Sequence, residues 1–144
     1  MFNHILLPTD GSRLSEKSVK QGIRMAKAMN ANVTALHVLP TSRENSYQID
    51  ILESEPDRYS ASAECALEYL SFVGRVARAA GVECDLVHVT SDQPFKAIIK
   101  TAQNKKCDLI LMASHGRRGI EGFLLGSETQ KVLTHSQIPV LVYR

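Results

Sequence analysis

No stretch of the 144 residues stays apolar for the roughly 18 positions that a membrane span requires, so a transmembrane helix is not expected. An excess of one charge is missing too. Lysine and arginine number 17 against 15 aspartates and glutamates, a net charge of +2 spread along the chain. Neither nucleic acid nor a membrane surface is therefore the expected partner. The opening residues, from Met1 to Pro8, carry neither a basic region nor a cleavage site, so no signal peptide is expected. Cysteine is sparse: Cys65, Cys84 and Cys107 are odd in number and widely spaced, which excludes the usual metal and redox motifs. Cys84 and Cys107 lie in apolar runs and read as buried thiols, suited to a reducing cytoplasm. Two phosphate-binding fingerprints are also lacking. No G-x-x-x-x-G-K-[ST] occurs, and no G-x-G-x-x-G opens the first helix, so this is not an ordinary P-loop. There is no tandem repeat and no linker, and the length suits one domain, residues 1–144.

What is present alternates between strand-like and helix-like segments. Phe2 to Pro8 is apolar and ends in the turn signal Pro8-Thr9-Asp10-Gly11. Ser12 to Asn30 repeats Val19, Ile23, Ala26 and Met29 at helical spacing, with Ser12 as cap. Asn32 to Leu39 is the second strand, and Thr41 to Pro56 a long polar loop. Asp57 to Ala80 is the longest helix, with Ala63, Leu67, Leu70, Gly74 and Ala77 on one face and Gly81 placed to end it. Val82 to Val89 is the third strand. Pro94 to Lys105 is a short helix capped by Ser91 or Asp92, with Pro94 in its first turn. Asp108 to Ala113, Ser127 to His135 and Ile138 to Tyr143 give the fourth strand, last helix and last strand. Ile5-Leu6-Leu7 and Leu109-Ile110-Leu111-Met112 are apolar without alternation, the mark of strands covered on both faces. The expected fold is a doubly wound α/β domain with a five-stranded parallel sheet. Ligands of such sheets bind beyond the carboxyl ends of the strands, at the switch point.

Met112 to Thr129 carries most of the functional signal. It contains Gly116, Gly119, Gly122 and Gly126, half of the chain's eight glycines. A strand, a basic glycine-rich loop and a helix N-terminus together make an anion site, since glycine lets backbone approach a ligand and free helix N–H groups favour phosphate. The plainer alternative is a flexible connection with Ser127 as N-cap, because Ser127-x-x-Gln130 fits a capping box. Asp10 ends the first strand's turn. If strands one and four are neighbours, Asp10 and Gly116 face one crevice.

With these segments in order, the chain resembles the universal stress protein family, in its nucleotide-binding branch, over essentially its whole length. The resemblance rests on Ile5-Leu6-Leu7-Pro8-Thr9-Asp10-Gly11-Ser12, on Ala35-Leu36-His37-Val38, on the closing Ile138-Pro139-Val140-Leu141-Val142, and on Ala113-x2-Gly116-x9-Gly126-Ser127 beside the family signature G-x2-G-x9-G-[ST]. It implies strand order 3-2-1-4-5 and an adenine nucleotide alpha hydrolase-like fold. It also implies a cofactor-binding set of Pro8, Thr9, Asp10, Val38, Met112, Ala113, His115, Gly116, Arg117, Gly119, Gly126, Ser127, Glu128 and Thr129. Within that set Asp10 would hold the ribose or the adenine edge. Val38 would pack on adenine and Met112 would line its wall. Gly116, Gly126 and Ser127 would give N–H groups to phosphates; Arg117, and Arg118 outside the set, are placed to contact them, the plainer alternative being a pair of solvated loop arginines. Asp10 read alone is also an Asx turn or helix cap, and Met112 and Val38 are also ordinary strand core.

Ala113 departs from the signature glycine. With negative φ an alanine there costs little, while with positive φ it costs about 1 kcal/mol or more. His115 has no triad around it, and His37 and His88 read as structural strand residues with satisfied rings. Asp10 is the one carboxylate placed to meet a divalent ion, magnesium or manganese, carried by a nucleotide. The lysine, metal site and water-positioning group of a phosphoryl-transfer catalyst are not visible. The expected function is a cytoplasmic ATP-binding stress-response sensor or regulator with slow or no hydrolysis, ADP or AMP being the other candidate ligands. One alternative is an interaction module of the same family that binds no nucleotide. Another is a slow ATPase or phosphotransferase using Asp10 and His115. A homodimer through the last strand, with Val140 and Val142 at the contact, is expected from an apolar edge and a chain that stops at Arg144.

Overall fold

In the computed structural model the described residues are 1–41, 63–117 and 125–144. Five strands and four helices lie in them: β1 (His4–Pro8), α1 (Arg13–Met29), β2 (Asn32–Leu39), α2 (Ala63–Ala80), β3 (Cys84–Thr90), α3 (Pro94–Asn104), β4 (Leu109–Ala113), α4 (Ser127–His135) and β5 (Val140–Tyr143). All recorded strand pairs are parallel and the order is β3-β2-β1-β4-β5. The doubly wound fold is therefore as the element pattern predicts, and the strand order as the family resemblance implies. The expected loop from Thr41 to Pro56 lies outside the described residues from position 42 onward, as do Asp57 to residue 62 of the expected long helix.

Alternation along each central strand sends side chains to two cores. On one face Ile5, Leu7, Val33, Ala35, Leu109 and Leu111 meet Val19, Ile23 and Ala26 of α1 and Leu70, Val73 and Ala77 of α2. On the other face Leu6, Leu36, Ile110 and Met112 meet Ile98 and Ala102 of α3 and Val132 of α4. This double cover is why the sequences of β1 and β4 are continuously apolar.

Local signals begin and end α1 as expected. Ser12 accepts a hydrogen bond from Ser15 N at 3.2 Å, and Asn30 closes the helix at φ 55°. Gly81 likewise adopts φ 71° just past α2.

Four expectations are corrected. The buried stripe of α2 is Cys65, Ala66, Tyr69, Leu70, Val73 and Ala77; Ala63 is exposed and Leu67 is 63% exposed. Neither Ser91 nor Asp92 caps α3: its N-cap is Gln93 without a side-chain bond, and Glu128 of α4 accepts from Phe95 N at 2.9 Å instead. The N-cap of α4 is Gly126 rather than Ser127, so the capping box does not form. Cys107 is buried but Cys84 is only half-buried; burial pushes both thiols up to about 11.

Candidate functional site

β1 and β4 are neighbours, so the sheet reverses its winding between them. β1 pairs with β2 along five residues, His4 to Pro8, but with β4 only at Ile5↔Leu109 and Leu6↔Ile110. Beyond that register the two strands run on to Pro8 and Ala113, at the switch point where such sheets bind their ligands.

The β1 side of the crevice is built by a tight turn. Thr9 is buried; its N–H donates to Leu36 O at 2.8 Å, its hydroxyl lies 3.0 Å from Ser15 Oγ, and it accepts from Gly11 N at 3.2 Å. Thr9 O accepts from His37 Nδ1 at 2.8 Å, which fixes the tautomer with the proton on Nδ1. Nε2 of His37 is buried without a partner, so this ring is bonded at Nδ1 alone, short of the full satisfaction the sequence reading expects; His88 is exposed on edge strand β3. Asp10 Oδ1 accepts from Ser12 N at 2.9 Å, an Asx turn that leads into α1. Oδ2 accepts from Arg117 N at 2.9 Å. Asp10 therefore makes the Asx turn with one oxygen and meets the loop after β4 with the other.

The β4 side begins at Ala113, a buried strand residue whose carbonyl accepts from Thr129 Oγ1 at 2.9 Å. The only described non-glycine residues with positive φ are Asn30 and Lys106, so Ala113 in place of the signature glycine carries no backbone strain. Ser114 N donates to Tyr143 O, and Ser114 O accepts from Gly126 N, both at 2.7 Å. Gly126 is thus clamped beside the strand end. A Cβ there would lie 3.0 Å from both Ser114 O and His115 Cα, which only a glycine avoids. Since Gly126 caps α4 without a side chain, the amides of Ser127, Glu128 and Thr129 at the helix head have no side-chain cap.

Of the sequence-predicted residues, Thr9, Asp10, Ala113, His115, Gly116, Arg117, Gly126, Ser127 and Thr129 meet at this one end of the sheet, with Pro8 the last residue of β1. Val38 packs against the α3–α4 core near the end of β2, and Met112 is buried in that core. Glu128 turns its carboxylate away, to Phe95 N and Lys131. His115 Nδ1 lies 3.1 Å from its neighbour Ser114 Oγ, and no carboxylate among the described residues bonds the ring. Arg118 and Gly119 lie outside the described residues. Among the described residues no group of three His, Cys, Asp or Glu side chains is placed to hold a metal ion.

Tyr69 of α2 is a site neighbour that the sequence reading missed. Its ring lies edge-on to His37, centroids 5.2 Å apart at 74°, and beneath the Arg117 guanidinium. Burial holds its phenol above the ordinary tyrosine value, although the Arg117 charge opposes this. A tyrosine inside an alanine- and leucine-rich helical stripe was the available signal.

This arrangement of parallel sheet and covering helices is that of a known class. The universal stress protein family model matches residues 1–144, and the chain belongs to that family. It is 31% identical over its whole length to a universal stress protein of Methanocaldococcus jannaschii, covering 83% of that protein. It is 27% identical to the universal stress protein YxiE of Bacillus subtilis, with both chains fully covered. Among solved structures it is similar to a universal stress protein in complex with cAMP, at 27% identity and TM-score 0.75, covering 99% of this chain and 97% of that one. Among the described residues no helix is long and apolar enough to cross a membrane.

Proposed function

We propose that this chain binds ATP in the crevice between the ends of β1 and β4 and acts in the cytoplasm as a stress-response sensor or regulator, with slow or no hydrolysis. The observation that carries this reading is the head of α4. Gly126 caps the helix with no side chain, is pressed against Ser114 and His115, and leaves three amides uncapped next to Asp10's crevice. Helix N–H groups and the positive end of the helix dipole suit phosphate. Asp10, whose carboxylate oxygens each have a second lone pair, is placed to accept from a ribose hydroxyl or an adenine edge. A related structure holding cAMP supports an adenine nucleotide as the ligand class.

The residues present fit the nucleotide better than they fit a protein-held metal. Asp10 is the one described carboxylate directed to this crevice, and Glu128 is committed to α3. A magnesium or manganese ion would therefore arrive with the phosphates. The alternative of a family member without nucleotide drew its support from Ala113, which sits unstrained in β4.

Calorimetric titration with ATP, with and without magnesium, tests the reading. Wild type is expected to bind. Gly126→Val, whose side chain must displace Ser114 O or the His115 backbone, is expected to lose binding. ATP binding by Gly126→Val as tight as that of wild type rules out the α4 head as the phosphate site. No binding by wild type, together with no nucleotide released on denaturing the purified protein, rules out the function.

A further inference from the structure

Arg117 directs its side chain to the β1–α1 turn rather than to the head of α4. Nε donates to Asp10 O at 3.0 Å and Nη2 to Gly11 O at 3.4 Å. Its own amide donates to Asp10 Oδ2 at 2.9 Å. The guanidinium carbon lies 5.2 Å from the centroid of the Tyr69 ring, within cation–π range. The same ring fills the space where a Cβ on Gly11 would stand, and Gly11 has φ 74°. Thus one arginine ties the glycine loop to two consecutive carbonyls and one carboxylate oxygen of the turn, and Tyr69 of α2 supports that arginine from below.

We propose that Arg117 and Tyr69 are positioning residues that form a latch, fixing the Asp10 carboxylate toward the nucleoside, and that Arg117 is not a phosphate ligand. The proposal rests on the nucleotide reading and specifies which end of the ligand Arg117 serves. Guanidinium donors form a planar fork, and here two of them are spent on neutral backbone carbonyls that move with Asp10. With Oδ1 held by Ser12 N and Oδ2 by Arg117 N, the carboxylate has one orientation left, and its remaining lone pairs are presented in advance. Preorganisation of that kind reduces the ordering cost of binding. It acts at the nucleoside, so its loss should not depend on the number of phosphates. An arginine contacting phosphate would behave oppositely, because its charge meets more negative charge in ATP than in AMP and none in adenosine.

The test compares wild type with Arg117→Met, Tyr69→Leu and Tyr69→Phe, each titrated with adenosine, AMP and ATP. Arg117→Met and Tyr69→Leu are expected to bind all three about tenfold more weakly, by the same factor for each ligand. Tyr69→Phe, which keeps the ring, is expected to bind as wild type does. A loss for Arg117→Met that is confined to ATP, or that grows with each phosphate, makes Arg117 a phosphate ligand and overturns the latch. Unchanged affinity in Arg117→Met also overturns it. Amide hydrogen exchange without ligand reads the latch independently. The amides of residues 12 and 117 should be protected in wild type and Tyr69→Phe, and exchange faster in Tyr69→Leu. Rapid exchange of both amides in wild type sinks the latch. Failure of wild type to bind any of the three ligands sinks the nucleotide reading instead and leaves the exchange result to judge the latch.

Discussion

A Cβ on Gly116 would fall on Oδ2 of Asp10, the oxygen that accepts from Arg117 N. Gly116 does not have positive φ, so the requirement for glycine here is one of space and not of backbone conformation. The glycine loop approaches the β1 turn so closely that the carboxylate occupies the place of a side chain.

Gly116→Ala follows directly as a test. The methyl group must push the Asp10 carboxylate aside or lift the loop, and either change breaks the bond to Arg117 N. ATP affinity is expected to fall about tenfold or more, the worth of one well-made polar contact together with its orientation. The cores on both faces of the sheet are untouched, so the melting temperature should stay within a few degrees of wild type. Calorimetry and thermal unfolding on the same preparation decide it. Unchanged affinity would mean that the ligand does not depend on Asp10's position.

Asp10 itself has two separable roles, and Asn and Ala substitutions distinguish them. An asparagine has one carbonyl oxygen and can serve either Ser12 N or Arg117 N, but not both. Asp10→Asn should keep the Asx turn and a melting temperature near wild type, while ATP binding weakens about fivefold to tenfold. Asp10→Ala removes both acceptors and should lower melting temperature and affinity together. Equal melting temperatures for the two variants, or wild-type affinity in Asp10→Asn, would refute this division.

Much of this site was legible in the sequence because its signals are local. Asn32 and Pro40 bracket β2, and Gly126 stands directly before α4; both elements have the expected bounds. The unalternating apolar runs of β1 and β4 gave a sheet covered on both faces, which placed Asp10 and Gly116 at one end of it. What was not legible depends on partners far along the chain. The N-terminus of α3 is met by Glu128, 33 residues from Phe95, while any local reading looks to Ser91 and Asp92. Arg117 reaches residues 106 and 107 positions away, and nothing near it in sequence distinguishes it from a solvated arginine. In α2 the small residues allow two helical stripes with the same spacing. Contact with the sheet and α1 selects Ala66, Tyr69, Leu70 and Val73, leaving Leu67 outside. The last strand begins at Val140, two residues late, because Ser136 Oγ binds both the N–H and the carbonyl of Ile138 in a turn.

Acid sensitivity should trace in part to Asp108. Its Oδ2 accepts from Asn3 N at 2.8 Å and its Oδ1 from His4 N at 2.9 Å, tying the start of β1 to the start of β4. Burial pushes this carboxyl up, but the backbone N–H groups of His4 and Asn3 outweigh it and hold the group below its ordinary value. A depressed folded value means that the carboxylate stabilises the fold above the unfolded pKa of about 4, and that this contribution is lost as pH falls through the folded value. Asp108→Asn should melt a few degrees below wild type at pH 7. The gap should close as pH falls below about 4. A gap that persists unchanged down to pH 2 would show that the ionised form is not what matters.

The open edge of the sheet at β5 leads to the last expectation, a homodimer. β5 pairs only with β4 among the described residues, leaving its other side without a neighbour. Its sequence, Val140-Leu141-Val142-Tyr143, is wholly apolar apart from the phenol, and Leu141 is 44% exposed while the other three are half-buried. Unpaired backbone groups on an apolar edge invite a second strand. Antiparallel pairing of β5 with itself is self-complementary, as a two-fold interface requires, and joins two sheets into one. Val140 packs on the α3–α4 core, so a charge there would damage the monomer as well. Val142→Glu and Leu141→Lys are better probes, with near-UV dichroism and ATP titration as checks that each variant is folded. Sedimentation equilibrium at micromolar concentration should give twice the 15.9 kDa chain mass for wild type and the single mass for either variant. A wild type that sediments at 15.9 kDa, or a Val142→Glu variant that remains wholly dimeric, would remove β5 as the interface.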